Sequence, residues 1–162
     1  MRIPTLIVFD LDYTLWDCGG TWCDCMTPPF RHTESGPSDS YGRIVTLYDG
    51  VLDALDWCDD NGVIMALASR TGEPSWARQL IAMLGISERF KFKEIFPSTK
   101  VVHFKNLQRD SGIAYEDMLF FDDEMRNIRE VCDLGVTSIF VRNGLSYSLF
   151  KEGLAKWEKN RS

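Results

Sequence analysis

The sequence predicts a doubly wound α/β fold with a mainly parallel sheet. Three observations carry that prediction. Short continuous apolar runs, "VIMALAS" and "MLFFDD" among them, have strand length and lack a polar face, the mark of strands covered on both sides. Segments with apolar residues at helical spacing alternate with these runs. Polar residues collect where each run ends, and in such folds ligands bind beyond the carboxyl ends of the strands.

Taken in order, residues 3–11 read as a first strand. Residues 17–47 are irregular and rich in Gly, Pro, Ser and Thr. That is long for a structureless connection, and it predicts a flap, with room for a hairpin, over the strand ends. Val51, Leu55 and Cys58 then recur at helical spacing, with Gly62 as the stop. "VIMALAS" is a strand, and the next helix has Pro74 in its first turn and Trp76, Leu80, Met83 and Leu84 in one stripe. "KFKEIFP" holds a short strand and "KVVHFKNLQRDSG" a helix. "MLFFDD" is strand, "EMRNIREVCDLG" helix and "VTSIFV" strand. A last helix in "SYSLFKEGLAKWEK" turns Phe150, Leu154 and Trp157 inward. With no repeat, linker or low-complexity tract, one domain over residues 1–162 is expected.

The 162 residues suffice for one sizeable core, and 44% hydrophobic with 26% charged residues is ordinary for a globular protein. A formal net charge of −6 argues against nucleic acid and polybasic membrane contact. No apolar run approaches the roughly 20 residues of a membrane span, and "MRIPTLIVFD" is too short for a signal peptide. The expected state is a cytoplasmic monomer. Five cysteines make no disulfide scaffold. Cys58 and Cys132 read as buried small hydrophobes in helices.

Strand one delivers Asp10 and Asp12, which share a face because side chains two apart point the same way. Thr14 follows. The later strand ends bring Ser69 with Arg70, Lys100, and the pair Asp122 and Asp123. Crowded carboxylates repel and call for a cation, and hard oxygen donors favour Mg²⁺ shared with a substrate phosphate. A carboxylate beside that metal can attack phosphorus. Mg²⁺, Lys100, the Ser69 hydroxyl and backbone N–H groups after the nucleophile can clamp the phosphoryl oxygens. A second carboxylate can protonate the leaving oxygen and later deprotonate water.

"DLDYT" resembles the DxDx(T/V) motif of the haloacid-dehalogenase (HAD) phosphohydrolases, and Ser69, Lys100 and Asp122-Asp123 follow in that superfamily's order. "VFDLDYTLW", "ASRT", "FFDDEMRN" and the lack of a separate cap domain resemble the magnesium-dependent phosphatase 1 family, from about Thr5 to Trp157. The resemblance implies a HAD-like three-layer sandwich. It implies Asp10 as nucleophile and metal ligand, and Asp12 as acid/base that also binds metal through its backbone carbonyl. Ser69, Lys100, the backbone of Leu11 and Asp12, and Arg70 would hold the phosphoryl group. Similar enzymes favour Asp123 as metal ligand, with Asp122 positioning a ligand water or Lys100. The chain departs from the family just after the first motif: Trp-Pro-aromatic is expected there, but Trp16 is followed by Asp17, Cys18 and two glycines.

Simpler readings stand beside these. Asp10 and Asp12 can close a turn, and Asp122 or Asp123 can cap the next helix. Ser69 can cap a helix, although Thr71 is nearer to its start. Arg70 suits a surface ion pair equally well. Lys100 can be a solvated lysine, yet a cation at a helix start opposes the dipole and points to a specific partner. His32 and His103 read as structural. Cys18, Cys23, Cys25 and His32 fit no common zinc spacing and read as flap residues. Trp16, Trp22, Phe30 and Tyr41 fit an aromatic wall or packing of the flap. The expected activity is Mg²⁺-dependent phosphomonoester hydrolysis, on phosphotyrosine or other aryl phosphates or on sugar phosphates attached to protein amines. The rivals are a receiver-like phospho-aspartate switch, disfavoured by the late acidic pair and by Asp12, and a phosphotransferase.

Overall fold

A computed structural model describes residues 1–161. Strand β1, Leu6–Phe9, is shorter than the predicted run, because Leu11 already belongs to a turn: its carbonyl accepts N–H bonds from Thr14, Leu15 and Trp16. The segment between this turn and the first helix holds four three-residue strands, β2 (Trp16–Cys18), β3 (Arg31–Thr33), β4 (Gly36–Ser38) and β5 (Val45–Leu47). They pair antiparallel as β2 with β5 and β3 with β4. The flap therefore contains the expected hairpin and also a second ladder, with a 3-10 turn at Cys23–Cys25 between them.

Helix α1 (Val51–Asp60), β6 (Ile64–Ser69), α2 (Pro74–Met83), β7 (Phe92–Ile95) and α3 (Lys100–Ser111) follow. The chain then runs through β8 (Met118–Asp122), α4 (Met125–Cys132), β9 (Thr137–Phe140) and α5 (Tyr147–Arg161). The central sheet is five-stranded, in the order β7-β6-β1-β8-β9, and every neighbouring pair is parallel. This is the predicted α/β architecture, with helices on both faces. Direction along the sheet reverses at β1, so the chain leaves the ends of β1 and β8 to opposite sides and opens a crevice there.

Alternation along β1 sends Ile7 and Phe9 to one face and Leu6 and Val8 to the other. The first face is closed by α1, α2 and α5, through Leu55, Leu80, Phe150 and Trp157 among others. Phe9, Phe121 and Phe150 stack there, with centroids 5.7 Å apart for Phe9–Phe121 and for Phe121–Phe150. Gly153 of α5 lies so close to the sheet that an added Cβ would meet Phe121 at 2.6 Å. The second face packs Phe104 and Leu107 of α3 and Val131 of α4 against Val8, Ala66 and Phe120.

Some expectations are corrected. Cys132 is exposed, because α4 turns Asn127 and Val131 inward instead; Cys58 is buried as expected. The inward face of α2 is Ala77, Leu80 and Ile81, and Trp76, Met83 and Leu84 lie at its margin. No helix among the described residues is long and apolar enough to cross a membrane.

Candidate active site

A cleft of about 200 Å³ opens where β1, β6 and β8 end. Its walls include Asp10, Asp12, Ser69, Arg70, Lys100 and Asp123, six of the residues singled out from sequence, brought together from four parts of the chain. Lys100 stands at the first position of α3, after Thr99, whose hydroxyl caps the helix by accepting the Val102 N–H. That placement drives the ammonium inward, where it is 1% exposed and 3.0 Å from both Asp10 Oδ1 and Asp122 Oδ2. It also donates to the Ala68 carbonyl. Burial opposes its charge, but Asp10 and Asp122 outweigh that and raise its pKa. The lysine at a helix start thus has the specific partners that its unfavourable dipole position demanded.

The two aspartates that end β8 have different surroundings. Asp122 is fully buried, and its oxygens accept from the Glu124 N–H at 2.8 Å and the Asn127 amide at 3.1 Å as well as from Lys100. Asp123 lines the cleft. Burial raises the pKa of both; Asp10 raises them further, through charge and, for Asp123, through a hydrogen bond. Oxygens of Asp10, Asp122 and Asp123 lie within 4.8 Å of one another, and among the described residues they are the only such group of acids, histidines or cysteines. One lysine does not balance three carboxylates. The donor set is all oxygen and acid-rich, which fits Mg²⁺. Of these three carboxylates, Asp10 and Asp123 line the cleft, whereas Asp122 lies behind it against Lys100 and Asn127.

Asp12 is half-buried, and burial raises its pKa against the lowering effect of a hydrogen bond donated by the Trp16 indole N–H. The neighbouring Thr14 hydroxyl donates to Asp10 Oδ2 at 3.2 Å. Ser69 Oγ accepts the Thr71 N–H at 3.3 Å, and Thr71 Oγ1 in turn accepts the Glu73 N–H. Ser69 therefore shapes the loop after β6, while Thr71 serves the start of α2. Arg70 is half-buried and donates to Asn127 Oδ1 at 3.1 Å, so it is no surface ion pair. Leu11 is buried in the turn that follows β1.

Several members of the site carried no sequence signal. Asn127 bridges Asp122 and Arg70 from the first turns of α4, at a position that reads as an ordinary polar helix residue. Asp24 reaches the cleft from the flap, where nothing in its sequence context marks it. Of the four flap aromatics, only Trp22 lines the cleft, at 51% exposure and edge-on to Tyr13. Trp16 and Phe30 are packed inside the flap, and Tyr41 is exposed. His103 is buried with its Nε2–H donating to the Phe96 carbonyl, and His32 lies on the exposed β3 strand. Cys18, Cys23, Cys25 and His32 form no metal-ligand group among the described residues.

The Acid Phosphatase family model matches residues 2–160. The chain belongs to that family. This phosphatase is 42% identical over 160 residues to human magnesium-dependent phosphatase 1, covering 98% of this chain and 89% of the relative. It is 37% identical over 150 residues to a HAD-like hydrolase superfamily protein of Schizosaccharomyces pombe, with 85% of each covered. Among solved structures, a HAD-superfamily hydrolase of Ehrlichia chaffeensis matches with TM-score 0.66, at 17% identity over the whole of both chains. CbbY of Rhodobacter sphaeroides, in complex with phosphate, matches with TM-score 0.66 and 16% identity, covering 94% of this phosphatase and all of that chain. Those last two likenesses concern the fold, which is the HAD-like α/β fold of phosphohydrolases.

Proposed function

We propose that this phosphatase hydrolyses phosphate monoesters through a phosphoryl group carried transiently on Asp10. The observation that carries the reading is the buried Asp10–Lys100 pair, 3.0 Å apart on the wall of a cleft shared with Asp12, Ser69 and Asp123. The cofactor is Mg²⁺, which Asp10, Asp123 and the backbone carbonyl of Asp12 would hold. When bound, it neutralises charge on the phosphoryl oxygens and among these carboxylates.

An Asp10 oxygen attacks phosphorus, and the bond to the leaving oxygen breaks. Lys100 keeps Asp10 oriented, and with the Ser69 hydroxyl, the Leu11 N–H and Arg70 it binds phosphoryl oxygens as charge builds on them. Asp12 gives its proton to the leaving oxygen, then takes one from the water that attacks the phosphoryl group and frees Asp10. Asp122 holds Lys100 in place. The substrates we favour are phosphotyrosine or other aryl phosphates, and sugar phosphates on protein amines. Trp22, half-exposed at the cleft, supports this choice, because a flat ring can lie against it.

The test is phosphate release from p-nitrophenyl phosphate. Activity should require Mg²⁺, disappear with EDTA, and fall by roughly 10³-fold or more in Asp10→Asn, with a large loss in Asp12→Asn. An Asp10→Asn enzyme close to wild type would overturn the mechanism. A panel of phosphotyrosine peptides, aryl phosphates and phosphosugars then tests the substrate; equal rates on alkyl and aryl esters would remove the aryl preference.

A further inference from the structure

Asp12 is held by groups that the mechanism does not itself require. Its Oδ1 accepts the Trp16 indole Nε1–H at 2.8 Å and the Cys23 backbone N–H at 3.0 Å, with the Cys18 thiol at 3.7 Å as a weaker third donor. Each donor arrives by a different route. Trp16 is fully buried and returns to Asp12 because the turn at Leu11 folds the chain back, with Tyr13 at φ 61° donating its N–H to the Trp16 carbonyl. Cys23 opens the 3-10 turn of the flap, which is docked on the loop after β6. There Asp24 Oδ2 accepts the Gly72 N–H at 3.1 Å, and the Cys23 thiol lies 3.3 Å from Thr71 Oγ1.

We propose that Trp16 and the Cys23 amide are the positioning groups of the acid/base: they fix Asp12 Oδ1 and leave Oδ2 as the oxygen that exchanges the proton. This rests on the reading of Asp12 as acid/base given above. A carboxylate oxygen has about two lone-pair sites, so two strong donors occupy Oδ1. Asp12 lines the cleft, and none of these donors reaches Oδ2. Swapping the two oxygens by rotation breaks both bonds, so the carboxyl keeps one face toward the leaving group through the cycle. In the first half-reaction the Oδ2–H bond breaks as the leaving oxygen, which has taken the P–O bonding pair, gains the proton. In the second, Oδ2 accepts a proton from the attacking water as its oxygen bonds to phosphorus and the bond from phosphorus to the Asp10 oxygen breaks, its electron pair returning to Asp10. The same flap turn touches the loop that carries Ser69 and Arg70, so acid/base and phosphoryl-binding groups keep a common register.

The test uses the full chain with Mg²⁺ and two substrates, phenyl phosphate, whose leaving group needs a proton, and p-nitrophenyl phosphate, whose leaving group needs it less. Trp16→Phe should lower kcat/KM by about tenfold for phenyl phosphate and by about twofold for p-nitrophenyl phosphate. In an Asp12→Asn background the same change should cost nothing further on phenyl phosphate. Equal losses on the two substrates, or the same loss with and without Asp12, would overturn the proposal by making Trp16 a packing residue only. Wild-type kcat on phenyl phosphate in Asp12→Asn alone would instead overturn the acid/base reading beneath it. A measurement on variants that keep Trp16 covers failure of Trp16→Phe to fold. The Trp16 indole N–H resonance should be protected from exchange in the wild type and should move in Asp12→Asn. A resonance unmoved by that change would overturn the proposal.

Discussion

Replacing Lys100 by methionine keeps the length of the side chain and removes one buried charge from among three carboxylates. Lys100 is 1% exposed and forms two ion pairs at 3.0 Å. At an effective dielectric of about 20, each pair represents about 5 kcal/mol of attraction before the cost of desolvation is set against it. Breaking a buried pair by removing one partner costs about 3–5 kcal/mol in practice, because the other partner is left uncompensated. Protonation limits the damage here: burial already holds Asp122 above the usual carboxylate range with Lys100 present, and its loss raises that pKa further. Urea unfolding with EDTA present should therefore show a loss of about 3–5 kcal/mol near pH 8, and a smaller one near pH 5.5, where the acids take up protons. Adding Asp122→Asn should recover part of the loss near pH 8, as expected of residues in contact. An equal penalty at both pH values, or no penalty, would refute the claim that buried negative charge is what Lys100 balances.

Other parts of the fold make separate predictions. Gly153→Ala should lower stability by about 1–3 kcal/mol in urea titrations, since its Cβ would press on Phe121 at 2.6 Å within a packed aromatic stack. Asp39 is fully buried in the flap and accepts from the Thr27, Tyr41 and Arg43 amides and the Arg43 guanidinium; burial pushes its pKa up, but these donors outweigh it and leave it below the usual range. Its contribution is thus complete above the unfolded pKa of about 3.9 and lost as pH falls through the lower folded value. Asp39→Ala should free residues 27–43 to early proteolysis while the central sheet keeps its circular dichroism. Burial, aided by Lys100, lowers His103 to about 4. Below about 6.5 the unfolded chain takes up a proton that the folded chain refuses, so on the order of 3 kcal/mol is lost between there and pH 4. His103→Gln should flatten that part of the stability profile, and an unchanged slope would contradict it.

What the sequence made legible follows from strong local physics. A strand covered on both faces must be apolar throughout, so β6 and β8 stand out, and polar residues just beyond them mark the cleft. Lys100 was legible because a cation at a helix start is unfavourable without a partner. The end of β1 was not, because Leu11 is as apolar as the strand, yet its carbonyl serves the following turn. Cys132 looked like core by residue type, but α4 spends its inward face on Asn127, a polar residue buried to serve Asp122 and Arg70. The flap was legible as an irregular stretch and no further. Its shape depends on polar ties such as Asp39 to Thr27 and Asp24 to Gly72, which have no periodicity.

The most direct test of the central claim is to stop the Mg²⁺-loaded enzyme with acid during steady-state turnover of phenyl phosphate and map phosphoryl groups by peptide mass spectrometry. The account predicts a phosphoryl group on Asp10 that is absent in Asp10→Asn and without substrate. Turnover at the wild-type rate in Asp10→Asn, or a phosphoryl group found on another side chain, would contradict it.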